Sequence, residues 1–316
     1  MRKTLRQLLS ETNECVFAPC VYDCLSARVL QLTGYQAMCL SSGELMMGTH
    51  GHLEFDFCGL TDLEYTCSRI TETCTLPMLV DAGNGFGDAL SVYRTCKRLA
   101  QIGVGGIMIE DVGTMSDNMG LLPREQFYAK IKAAVDALAG TDTILCARTN
   151  VDPWTNLDEG CERMAKAHEL GAEMTTVVLI KNLEHAKYVA ERVPGWKMFP
   201  DVHAWNGVPA VTVEDITPLG FKFMTTHFLM KAATEGMLLQ AKENLKTKSV
   251  SYTFTHAPGS GVLGTMCPIE LFDPQAYLDL RGEFTGEKTK FECYDVKDYN
   301  GALPDGLVDC PIRERI

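Results

Sequence analysis

Pro77-Met78-Leu79-Val80-Asp81-Ala82-Gly83-Asn84-Gly85-Phe86-Gly87 is the stretch that decides the fold. An apolar run ends on an acid and breaks at once into a glycine-rich turn. The same design recurs downstream, where Gly106-Ile107-Met108-Ile109 runs into Glu110-Asp111 and Thr143-Ile144-Leu145-Cys146-Ala147 runs into Arg148-Thr149-Asn150. Short apolar runs without alternation are the mark of parallel strands buried on both faces. Polar groups at the C-terminal ends of such strands collect at one rim when the strands close into a (β/α)8, TIM-type barrel.

The rest of the chain extends the pattern. Val16-Phe17-Ala18, Ala37-Met38-Cys39-Leu40, Met174 to Leu179, Lys197-Met198-Phe199 and Lys222 to Thr225 bring the apolar runs to eight. Helical spacing fills the gaps, as in Cys24 to Leu32 and in Arg124 to Leu138, where Phe127, Ile131, Ala134 and Leu138 share a face. Gly34, Gly103 and Gly171 fall where left-handed caps would end helices before the next strand. Gly83-Asn84-Gly85-Phe86-Gly87 does not have the Gly-x-Gly-x-x-Gly spacing of a dinucleotide fingerprint, and it follows the third strand rather than the first. A barrel over residues 1–249 is expected, with a helix from about Phe228 to Leu245 that either closes it or swaps onto a neighbour, and a Gly-, Pro- and aromatic-containing extension over 250–316 that packs on the barrel or on a neighbouring subunit.

Composition excludes several classes. The chain has 316 residues, 46% hydrophobic and 22% charged, which is ordinary for a folded protein. Twenty-nine basic against 41 acidic residues leave a net charge of −12, a poor match for nucleic acid. No apolar stretch reaches membrane-spanning length and no signal-peptide core follows Met1, so a soluble cytoplasmic protein is expected. The 13 cysteines are scattered, without Cys-x-x-Cys pairs or zinc-type spacing, and read as buried thiols.

With these motifs placed, the chain resembles the isocitrate lyase/phosphoenolpyruvate mutase superfamily over roughly residues 5–245. Tyr22-Asp23-Cys24-Leu25-Ser26-Ala27-Arg28 is similar to its first-loop motif and Ser41-Ser42-Gly43 to its substrate-holding Ser-Gly turn. Asp81 to Gly87 resembles the magnesium loop, while Ile109-Glu110-Asp111 and Ala147-Arg148-Thr149 match the next two signatures. The resemblance implies a Mg2+-assisted carbon–carbon lyase acting on a small 2-oxo or 2-hydroxy carboxylate through an enolate-like intermediate. It implies Asp81, Glu110 and Asp56 around the metal, Ser42 and Gly43 on the carboxylate or enolate oxygen, and Arg148 on a substrate carboxylate. It also implies a homo-oligomer, a dimer or a tetramer that exchanges its last barrel helix.

Departures from the family pattern narrow the reaction. Gly83 replaces the second acid of the magnesium loop, which weakens rather than forbids a largely water-coordinated Mg2+ site. The cysteine loop of the lyases is absent; Val112 to Gly120 stands in its place, with Asn118 seven residues after Asp111, as in the mutase and phosphonopyruvate hydrolase branch. The strand-seven motif now reads Asp201-Val202-His203-Ala204-Trp205-Asn206-Gly207-Val208-Pro209. Tyr22, His203 and His227 are the candidate proton donors, Asn118 is a further catalytic candidate as a gate asparagine, and Trp205 is a candidate substrate contact. Three other readings stand beside the lyase: a phosphonopyruvate-type hydrolase or mutase, a metal-independent isomerase or condensing enzyme, and a non-catalytic binding subunit. In the plainest reading Asp81 and Glu110 only cap helices, and the histidines are solvated rim residues.

Overall fold

The structure, a computed structural model, describes residues 3–53, 57–113, 120–256, 269–292 and 306–315. Helix α1 (Leu5–Glu11) precedes the first strand. Eight parallel strands follow: β1, in two segments (Val16–Phe17 and Cys20–Val21), β2 (Met38–Leu40), β3 (Met78–Asp81), β4 (Gly106–Glu110), β5 (Ile144–Thr149), β6 (Met174–Val177), β7 (Trp196–Phe199) and β8 (Phe221–Met224). Strand β1 closes the barrel. Its first segment pairs with β8, Val16 opposite Phe223, and its second with β2, Cys20 opposite Cys39. Pro19 marks the break and still accepts a hydrogen bond from Cys39 N–H at 3.1 Å.

Helices α2 (Cys24–Leu32), α3 (Ser42–His50), α4 (Leu60–Thr73), α5 (Ala89–Ile102), α6 (Arg124–Leu138), α7 (Pro153–Glu169), α8 (Leu183–Arg192) and α9 (Val213–Ile216) lie between the strands. The bounds of α2 and α6 are those their apolar spacing predicts. Gly34, Gly103 and Gly171 all have positive φ, as expected of left-handed caps. One expectation shifts: the sixth strand stops at Val177 rather than Leu179, because Val178 N–H, having bonded Thr149 O at 3.0 Å, leads into a turn.

Alternation along the strands sorts two cores and fixes which residues reach the mouth. Leu79, Met108, Cys146, Met198 and Phe223 point into the barrel, whose lower end is plugged by Leu5, Leu8 and Leu9 of α1. Their neighbours Val80, Ile107, Ile109, Leu145 and Phe199 point outward against the helices. Residues two apart share a face, so Leu79 leads to Asp81, Met108 to Glu110 and Cys146 to Arg148. Gly106 shows how closely the interior is packed: a Cβ there would lie 2.9 Å from both Ile144 and Leu79 side chains.

Beyond the barrel, α10 (Leu229–Thr247), α11 (Ser251–His256), α12 (Pro274–Thr285) and α13 (Ile312–Arg315) complete the described α-helices. The C-terminal segment docks on α2: Val308 N–H donates to Leu32 O at 2.9 Å, and the buried Arg28 pairs with Asp309 and donates to Leu271 O. Helix α10 behaves differently, since none of its nineteen residues is buried. No helix of the described residues is long and apolar enough to cross a membrane.

Candidate active site

The C-terminal ends of β3, β4 and β5 bring Asp81, Glu110 and Arg148 together. Arg148 Nη1 donates to Asp81 Oδ2 at 2.9 Å, and its Nη2 lies 3.1 Å from Glu110 Oε2. Asn150 cross-braces the cluster, accepting from Arg148 Nη2 at 2.9 Å and donating to Glu110 Oε2 at 2.8 Å. A cavity of ≈ 280 Å³ opens over this wall, lined among others by Ser42, Gly83, Asn84, Glu110, Arg148 and Asn150.

Glu110 and Asp111 are adjacent and do opposite things. Glu110 follows the inward face of β4, whereas Asp111 turns away and is fully buried. It accepts from Thr149 Oγ1 at 2.6 Å and Asn150 N–H at 2.9 Å, and Arg163 Nη1 lies 3.2 Å away. Asp111 thus ties the ends of β4 and β5 to α7 and holds Asn150 where it can reach Glu110.

The opposite wall is built from β1, β2, β7 and β8. His227 Nδ1 is 3.1 Å from Glu44 Oε1 and its Nε2 is 3.0 Å from Asp201 Oδ1. Burial alone would lower the histidine's pKa, but the hydrogen bonds to Asp201 and Glu44 outweigh it and raise the pKa to about 10. Burial likewise opposes ionisation of Asp201, and its bond to His227 overcomes that and lowers its pKa. His227 is therefore an imidazolium held between two carboxylates at neutral pH. Asp201 has φ +43°, a left-handed backbone that aspartate tolerates, and Thr225 Oγ1 accepts from its N–H at 3.1 Å. This wall borders a second cavity of ≈ 380 Å³, lined by Gly43, Glu44, Asp201 and His227 and also by Asp81 and Arg148. Arg148 borders both cavities, so they are two lobes of one mouth.

The remaining candidates divide clearly. Ser42 and Gly43 open α3 at the rim, where Ser41 Oγ caps the helix by accepting from Glu44 N–H at 3.2 Å. The helix thereby presents its positive end to the mouth. Tyr22 is half-buried beside the mouth and lines neither lobe; burial first, then Asp23 and Glu44, push its phenol pKa up. His203 is exposed, in the segment that leads to the Ala204–Trp205/Val208–Pro209 hairpin, and lines neither lobe. The side chain of Trp205, and Asp56 and Asn118 altogether, lie outside the described residues. Glu44, Asp201, Cys20 and Asn150 were not singled out from the sequence. Asn150 and Asp201 sit just past strand ends and Glu44 in the first turn of α3, which was the one signal available; Cys20 lies inside β1, level with Cys39, and carries no such signal.

Residues 5–245 match the family described as phosphoenolpyruvate phosphomutase. The chain is 29% identical over 223 residues to 2,3-dimethylmalate lyase of Eubacterium barkeri, covering 69% of this chain and 76% of that protein. It is 33% identical over 196 residues to 2-methylisocitrate lyase of Escherichia coli (strain K12), covering 60% and 66%. A crystal structure of phosphonopyruvate hydrolase in complex with oxalate and Mg2+ superposes with TM-score 0.76 at 19% identity, covering 89% of this chain and 98% of that one. Fold and site define a TIM-type barrel enzyme with its polar groups at the C-terminal rim. The chain belongs to the phosphoenolpyruvate mutase/isocitrate lyase superfamily, as its motifs led one to expect.

Proposed function

We propose that the protein cleaves a carbon–carbon bond in a small 2-oxo or 2-hydroxy carboxylate, with Mg2+ assistance. The observation that carries this is the meeting of Asp81, Glu110 and Arg148 on one cavity wall, facing a histidine across the same mouth. The lyase class agrees with the names of the relatives, two of which act as 2,3-dimethylmalate and 2-methylisocitrate lyases.

The donor set suits Mg2+. Asp81 and Glu110 offer hard carboxylate oxygens beside a cavity with room for the waters this ion keeps. Gly83 occupies the place of a third acid: a Cβ there would lie 3.7 Å from Glu110 Oε1, so the backbone already points that way. Bound by Asp81 and Glu110, Mg2+ would supply a Lewis acid for the substrate's oxygens.

This chain's own residues supply the rest. Arg148 binds a substrate carboxylate in bidentate fashion. The start of α3 at Ser42 and Gly43 offers its dipole to charge that develops on the enolate oxygen. His227, kept protonated by Glu44 and Asp201, holds a proton at Nε2 for the carbanion left by bond cleavage, a task that falls to a cysteine loop in the lyase branch. The exposed Met237, Leu238 and Leu239 of α10 imply that this helix is covered by a second copy, and light scattering should give a dimer or larger.

Melting temperature with Mg2+, oxalate, both or neither tests the reading. A shift that needs both additives and disappears in Asp81→Ala is expected. Turnover of a 2-hydroxy dicarboxylate that survives exhaustive chelation would overturn it.

A further inference from the structure

The wall opposite the magnesium carboxylates carries a second, chemically different set of metal donors. Cys20 Sγ lies 3.5 Å from His227 Nε2, and Asp201 Oδ1 lies 3.0 Å from the same nitrogen. All three donor atoms fall within 4.8 Å of one another. Tetrahedral zinc, with bonds of about 2.0–2.3 Å, sets its donors about 3.3–3.6 Å apart. The two sides that meet at His227 Nε2 are therefore already close to the length that zinc requires, and the third is at most 4.8 Å.

Two further observations point to a cation. Glu44, only 6% exposed, bonds the other imidazole nitrogen through Oε1, while its buried Oε2 has no hydrogen-bond partner among the described residues. A carboxylate on the distal nitrogen of a ligating histidine is the usual outer support of a metal site, fixing the tautomer and the ring plane. Two carboxylates also outnumber the single imidazolium between them, so the cluster carries excess negative charge.

We infer that Cys20, His227 and Asp201 form a site for a thiophilic divalent cation, Zn2+ above all, oriented by Glu44 and separate from the carboxylate pair that suits Mg2+. Thiolate and imidazole donors select zinc, whereas an all-oxygen set selects magnesium. Binding releases two protons, one from the Cys20 thiol and one from His227 Nε2, and leaves Nδ1–H on Glu44. The fourth position faces the lobe that Asp81 and Arg148 also line. Occupancy there removes the proton that the proposed reaction takes from His227; only this consequence rests on that reading.

The test is titration of the reduced, metal-stripped, full-length protein with Co2+ under anaerobic conditions, in excess Mg2+. One equivalent should bind with a thiolate-to-cobalt charge-transfer band, and Zn2+ should displace it. Cys20→Ser abolishes the band, Asp201→Asn weakens binding, and Glu44→Gln lowers affinity about 10–100-fold. Asp81→Ala leaves the band unchanged, which separates this site from the magnesium wall whether or not lyase activity is found. A band that survives in both Cys20→Ser and Asp201→Asn would assign the metal to other cysteines of the 13 and overturn the proposal, as would the absence of stoichiometric binding.

Discussion

The two walls of the barrel mouth solve the same electrostatic problem with different cations. On one wall Asp81 and Glu110 share the guanidinium of Arg148; on the other Glu44 and Asp201 share the imidazole of His227. A guanidinium stays charged at every accessible pH, so the cation of the first wall can bind but cannot exchange a proton. An imidazole can give up its proton, so the second wall can do acid–base chemistry. In the proposed reaction, substrate binding falls to the ends of β3–β5 and proton transfer to the wall built from β1, β2, β7 and β8.

Removing the titrating side should have the largest effect. His227→Gln keeps a polar group of similar reach and should lower kcat by about 10²–10⁴-fold, the usual contribution of a positioned acid. KM should change far less. In the wild type, kcat should fall as pH rises through about 10, and that limb should be absent from the residual activity of the variant. Stability should follow the same ionisation. The histidine's folded pKa lies above its ordinary 6.5, so its pairing contributes fully below that pH and is lost as pH rises through about 10. Asp201, with its pKa lowered, contributes above the ordinary carboxylate range and loses that contribution as pH falls through its folded value. Melting scans should therefore show wild type and His227→Gln converging toward pH 10. Parallel curves across that window would return proton transfer to Tyr22 or another group.

Breaking the fixed wall should separate binding from metal affinity. Arg148→Met should reduce kcat/KM about 10²–10³-fold, comparable to loss of one charge-stabilising donor. It should also raise Mg2+ affinity, because Asp81 and Glu110 are no longer neutralised by the guanidinium. Calorimetry with Mg2+ reads this directly. Weaker Mg2+ binding in the variant would mean that the arginine holds the carboxylates in shape rather than competing for them.

Adjacent Glu110 and Asp111 sharpen the contrast between a site residue and a structural one. Asp111→Ala leaves the buried Thr149 hydroxyl and the Asn150 N–H without their acceptor, while Arg163 keeps Glu159 at 2.7 Å, and should cost about 1–3 kcal/mol of stability. Glu110→Ala should cost less, since Arg148 keeps Asp81, yet it should lose Mg2+ binding. Urea unfolding of the two variants decides, and equal destabilisation would undo the distinction.

How much of this could be read from the chain follows from where each contact is made. The fixed wall was legible because Asp81, Glu110 and Arg148 each terminate an apolar run, and alternation from Leu79, Met108 and Cys146 aims them inward. The titrating wall was only half legible. Cys20 in β1, Glu44 in α3, and Asp201 and His227 past β7 and β8 are brought together from four βα units, and no local pattern says that β1 closes on both β2 and β8. His203 stood at a strand end by position, but the hairpin after it carries it to the surface. The spacing of α10 showed a helix; that its apolar side chains would face outward no local pattern says.

The smallest effect expected comes from restoring the acid missing at Gly83. That residue has φ +52°, where aspartate costs about 1 kcal/mol. The nearest atom to a new Cβ is Glu110 Oε1 at 3.7 Å, an ordinary contact, so nothing steric excludes the side chain. A third carboxylate would join Asp81 and Glu110 around a single guanidinium. The metal-free Gly83→Asp protein should melt a few degrees lower through like-charge repulsion, and Mg2+ should restore the difference. Affinity for Mg2+ should rise on the order of tenfold with the added ligand charge. The His227 wall lies across the mouth and should keep its pH limb unchanged. Tighter Mg2+ binding with an unaltered pH profile would show that the two walls act independently. A shifted profile would show that charge placed on one wall is felt on the other through Arg148, the residue that borders both lobes.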